Sequence, residues 1–122
     1  MTLVIVTNNA IVQTKSTHPI LPVSGNSSDV LKKVRDLVHT GSRLVSYPLG
    51  ASIKMLHSPV TSVLIEQQDG AIDPESLEII EESILKLDRV LGERKPDERN
   101  RSDYEVVDWN RLQAALTETK KF

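Results

Sequence analysis

The chain has 122 residues, 39% of them apolar and 26% charged, which suits one globular domain and leaves no comfortable room for two. Cysteine is absent, which excludes a disulfide scaffold, thiolate metal sites and cysteine catalysis and fits a cytoplasmic location. A net charge of −2 and an aromatic content of 3% argue against a nucleic-acid partner, and no apolar run approaches the roughly 20 residues of a membrane helix.

Leu3-Val4-Ile5-Val6 is a continuous aliphatic run, which suits a strand buried on both faces; it reads as a strand rather than a signal peptide. Thr7-Asn8-Asn9 ends it with residues that favour turns and caps, and a helical turn follows over 10–15. Pro19 and Pro22 bracket a short edge strand near 20–24. Ser24-Gly25-Asn26-Ser27-Ser28 is a turn leading into a helix over about 29–40, with Val30, Leu31, Val34, Leu37 and Val38 on one stripe and Gly41 as its stop. A third strand at 43–47 follows at once, which predicts a right-handed strand–helix–strand unit.

Residues 48–59 show no periodicity, and 60–66 reads as a fourth strand. Asp73-Pro74 starts a second long helix, with Asp73 as N-cap and Pro74 at the first helical position. Its stripe is Leu77, Ile80, Ile84, Leu87 and Leu91, and Gly92 is its expected stop. Residues 69–92 carry seven Asp/Glu against two Lys/Arg, a solvated acidic face that could alternatively meet a partner, while the seam spacing of the apolar stripe leaves a homodimer through that stripe as the alternative to packing on a sheet. Residues 93–103 lack any apolar side chain and read as a polar linker. Residues 104–122 form a tail with a short helix that Asp108 would cap and a weak stripe of Leu112, Ala115 and Leu116.

The resulting expectation is an α/β fold, a small mainly parallel four-stranded sheet with flanking helices, over residues 1–92. It is a reduced Rossmann-like or flavodoxin-like arrangement with a C-terminal linker and helix appended. In open α/β sheets ligands bind beyond the carboxyl ends of the strands. If strands 1 and 3 are parallel neighbours, Thr7, Asn8 and Asn9 share a rim with Tyr47, Gly50, Ser52 and Lys54. These supply amides, hydroxyls, a glycine backbone and one ammonium, a set suited to a carboxylate, phosphate or carbonyl group. The bland reading is that Asn8 and Asn9 cap the turn and Gly50 permits it. His18, His39 and His57 lack ligand spacing, Ser52 and Lys54 miss the S-x-x-K arrangement, and no glycine-rich nucleotide fingerprint is present. No metal, cofactor or catalytic residue is therefore expected.

The same segments carry a resemblance. Leu3-Val4-Ile5-Val6-Thr7-Asn8-Asn9, the helix from Val30 to Gly41 and the stretch from Leu44 to Ile65 resemble the GrdX family, small proteins encoded beside the glycine, sarcosine and betaine reductase genes of amino-acid-fermenting anaerobes. The similarity spans roughly residues 1–91; the tail after Gly92 has no counterpart in it. Ala10, Tyr47 and Met55 stand where the family pattern has proline, histidine and proline, and Gly50-Ala51 shifts a glycine, which marks a divergent member. The resemblance implies a non-catalytic accessory role beside an amino-acid reductase, with a reductase-complex protein or a small anionic ligand as partner. The alternatives are a small hydrolase or transferase at the rim, or a pure interaction module using the acidic helix or the tail.

Overall fold

The computed structural model describes residues 2–49, 56–93 and 95–120. In chain order it contains β1 (Thr2–Thr7), α1 (Ala10–Lys15), β2 (Ile20–Pro22), α2 (Ser27–His39), β3 (Arg43–Leu44), β4 (Ser62–Gln67), α3 (Pro74–Glu93), a 3-10 turn at Glu98–Asn100 and α4 (Arg101–Lys120). The strands form one sheet in the order β2-β1-β4-β3.

The continuous aliphatic run of β1 is buried on both faces. Val4 and Val6 join Val63 and Ile65 of β4 beneath α2 and α3, which contribute Val30, Leu31, Val34, Val38, Ile80, Ile84 and Leu87. Ile5 and Leu64 face the other way and pack with Val12 of α1 and Leu112 and Leu116 of α4. The molecule is thus three layers, a sheet between two helix pairs. Each fully buried aliphatic side chain contributes roughly 2 kcal/mol, so both faces stabilise the fold.

The sheet is mixed and mostly antiparallel, which corrects the expected mainly parallel arrangement. Only β1 and β2 run parallel; β4 is antiparallel to both β1 and β3. A parallel return needs a crossover along the sheet, usually a helix. The two described ends of the β3–β4 connection instead meet, the Thr61 hydroxyl donating to the Pro48 carbonyl at 3.2 Å. The chain therefore re-enters the sheet at the end it left. β2 and β3 do run in the same direction on either side of α2, but β1 and β4 lie between them. β1 and β3 are likewise not neighbours. Their carboxyl ends still share one end of the sheet, together with the start of β4.

Local signals explain the boundaries. Asn26 and Asp29 form a reciprocal capping box at α2, with Asn26 N donating to Asp29 Oδ2 at 2.9 Å and Asp29 N to Asn26 Oδ1 at 3.3 Å. Gly41 has φ +113°, and a side chain there would meet the Gly70 backbone at 2.6 Å, so two turns pack closely through it. β3 is shorter than expected because the amides of Val45 and Ser46 converge on the single Leu64 carbonyl at 2.9 and 3.1 Å, which ends the regular ladder. α3 continues through Gly92 to Glu93. α4 begins at Arg101, well before Asp108, so Asp108 lies inside the helix rather than capping it.

Candidate functional site

Thr7, Asn8 and Asn9 do meet the start of β4 at one rim, and α4 closes over them. Asn8 is buried and ties three segments together. Its Nδ2 donates to the carbonyls of Gly25 (3.0 Å) and Pro59 (2.8 Å), and its Oδ1 accepts from the Thr61 amide (3.0 Å). Asn9 caps α1, accepting from the Ile11 amide at 2.9 Å. Its Nδ2 donates to the Glu105 carbonyl and to Asp108 Oδ2, both at 2.9 Å. An asparagine at a strand end is suited to this double duty because its amide both donates and accepts.

The register of the central antiparallel pair sets Thr7 opposite Ser62. Their hydroxyls lie 2.7 Å apart. Thr7 Oγ1 accepts from the Asn9 amide at 2.9 Å, and Ser62 Oγ donates to Asp108 Oδ2 at 2.6 Å. With its own proton directed to the carboxylate, Ser62 accepts the Thr7 proton. The chain of donors therefore runs from Asn9 through Thr7 and Ser62 to Asp108. Asp108 also accepts the Ser62 amide at 3.1 Å. It is only 1% exposed, and a buried carboxylate is tolerable when hydrogen bonds replace its water shell.

Arg111, one turn further along α4, stands at the outer edge of this network. Its Nη2 donates to the Ser62 carbonyl at 3.2 Å and Thr61 Oγ1 at 3.4 Å and lies 3.9 Å from Asp108 Oδ1. Its side chain is 30% exposed. The enclosed space between Leu49, Ser58, Thr61, Asp108 and Arg111 is about 10 Å³, room for a single water. An organic ligand at this rim must therefore lie on the solvent side of Arg111. Tyr47 is 75% exposed and makes no part of the buried network. Gly50, Ser52 and Lys54 lie outside the described residues.

Sequence reasoning placed Thr7, Asn8 and Asn9 at the rim but missed Ser62, Asp108 and Arg111. Asp108 falls on the same helical stripe as Leu112 and Leu116, four and eight residues on, and that inward spacing was the available signal. Among the described residues, no group of three or more His, Asp or Glu side chains could hold a metal ion. Among them, too, no helix is long and apolar enough to cross a membrane.

No curated protein and no solved structure matches the chain. A family model described as GrdX-like protein matches residues 4–117, from within β1 to within α4. That span reaches past residue 91 and so corrects the expectation that the tail has no counterpart in the family; it holds the Asn9–Thr7–Ser62–Asp108 chain and Arg111, and by it the chain belongs to the GrdX-like family.

Proposed function

We propose that the chain is a non-catalytic accessory protein of glycine, sarcosine or betaine reductase metabolism that works by binding a small anionic ligand or a partner protein. The metabolic context rests on the family, and the mode of action rests on the rim. The observation that carries the binding reading is Arg111. One nitrogen fixes this cation to the backbone at the mouth of the rim, while its remaining guanidinium nitrogens have no partner among the described residues. A guanidinium held in this way is pre-organised for an oxyanion. In this reading Thr7, Asn8 and Asn9 form the fixed floor that sets the position of Arg111. Tyr47, Gly50, Ser52 and Lys54 supply the outer contacts, with Lys54 adding charge. Ser62, the rim hydroxyl closest to an acid, acts as a structural link: it is 2% exposed, and among the described residues no histidine hydrogen-bonds to it as a base.

A thermal-shift screen against glycine, sarcosine, betaine, acetyl phosphate and common nucleotides tests this, since a ligand of the native state raises apparent stability by mass action. At least one anionic compound is expected to raise the midpoint, with the rise lost in Arg111→Met and reduced in Lys54→Met. Each variant is compared with its own ligand-free midpoint. An undiminished rise in both variants would remove the rim from the binding site.

A further inference from the structure

A second opening lies next to the rim. His57 is two residues before Pro59, whose carbonyl holds Asn8, and Tyr104 is one helical turn before Asp108. Between them, residues 95–100 form one wall of an open groove of about 670 Å³. That volume is in the range of small-molecule sites. The wall is fixed to the opposite side by the Asp97 amide, which donates to the His57 carbonyl at 2.8 Å.

The charges of this wall are unequally engaged. Glu98 pairs with Arg101 at 3.1 Å, and the Asp97 carboxylate accepts from Asn100 Nδ2 at 2.8 Å. Lys95 and Arg99 line the same groove and have no ion-pair or hydrogen-bond partner among the described residues. Among the described residues, with Glu98 balanced by Arg101, the groove keeps two cations against the one carboxylate of Asp97. The rings of His57 and Tyr104 and the ring of Pro96 supply apolar surface. The His57 Nδ1 is buried and has no hydrogen-bond partner among the described residues.

We infer that this groove binds a small organic monocarboxylate, its carboxylate between Lys95 and Arg99 and its apolar body against Tyr104, Pro96 and His57. The surplus of a single positive charge among the described residues favours a monoanion over a phosphate dianion. The inference rests on the reading of the chain as a binder of small anions and adds a second anion site, on residues outside the rim.

Amide NMR titrations of the full chain with acetate, benzoate and inorganic phosphate test it. Benzoate is expected to bind more tightly than acetate or phosphate and to shift the amides of His57, Arg99 and Tyr104. The double variant Lys95→Met/Arg99→Met should weaken benzoate by roughly tenfold or more, the scale of one charge-assisted hydrogen bond. Both side chains are exposed, so the variant should keep the wild-type melting midpoint. Benzoate binding that survives this variant but disappears in Arg111→Met would overturn the groove and keep the rim. Phosphate binding more tightly than benzoate would overturn the monocarboxylate assignment. Absence of any titratable shift with all three probes at millimolar concentration would overturn the groove as an anion site, while a positive thermal-shift screen would leave the broader binding reading standing.

Discussion

Asp108 accepts hydrogen bonds from the Ser62 amide, the Ser62 hydroxyl and the Asn9 amide group, and so joins the ends of β1 and β4 to α4. Removing its carboxylate takes this acceptor from the Ser62 amide and hydroxyl and leaves the Asn9 amide group with the Glu105 carbonyl alone. Each buried donor left without an acceptor costs about 1–3 kcal/mol, so Asp108→Ala is expected to lower unfolding stability by roughly 3 kcal/mol or more in urea titration. Asp108→Asn, which keeps one acceptor oxygen, should lose less. A loss below about 1 kcal/mol for Asp108→Ala would mean that water replaces the carboxylate readily. The roles of Asn8 and Asn9 as turn and cap residues were legible in the sequence, because short polar side chains after an apolar strand have few other uses. The role of Asp108 was not. An aspartate ahead of a weak apolar stripe reads as an N-cap, and the partners that draw it inward come from a strand 46 residues away.

Among the elements, α3 shows how a local signal carries through to packing. Asp73 Oδ2 accepts from both the amide (3.1 Å) and the hydroxyl (2.6 Å) of Ser76, while the same Ser76 oxygen receives the Leu44 amide of β3 at 3.0 Å. The cap of the helix thus also holds the edge strand. The Ser76 hydroxyl, then its amide, and further the nearby Arg43 guanidinium hold the Asp73 carboxyl below the ordinary carboxylate range. A carboxylate whose folded value is depressed stabilises the fold in full above its unfolded value, about 4. That contribution disappears as pH falls through the lower folded value. Urea midpoints measured from pH 7 down to pH 2 should therefore fall more for wild type than for Asp73→Asn. Equal falls would show that the cap does not couple folding to protonation. This helix start was readable from Asp73-Pro74 alone. α4 was only half readable. Its apolar stripe is thin because the helix covers just one sheet face over Ile5 and Leu64, and the charged stretch from Arg101 onward hides its first two turns.

At the scale of the molecule, the layers were legible and the strand directions were not. A run such as Val4-Ile5-Val6 states that both faces of a strand are buried, but not which way its neighbours run. That direction shows only in the fold, where the Thr61 hydroxyl just before β4 meets the Pro48 carbonyl a few residues after β3. The three-layer arrangement also makes α4 part of the core. Leu112 is 3% exposed, whereas Leu85 on α3 is 64% exposed. Leu112→Ala is expected to cost about 3 kcal/mol and Leu85→Ala less than about 0.5 kcal/mol. Comparable effects of the two would contradict the seating of α4 on the second sheet face. Both the buried network and the fixed Arg111 depend on that seating, so function and fold share this helix.

The most direct measurement of whether the chain binds or turns over an anion is 31P NMR of acetyl phosphate with and without the full-length protein. Saturable broadening or displacement of the acetyl phosphate signal, abolished in Arg111→Met, with phosphate released no faster than in buffer, is the predicted result. Accelerated release of phosphate would contradict the non-catalytic reading, and binding that persists undiminished in Arg111→Met would contradict the Arg111 rim.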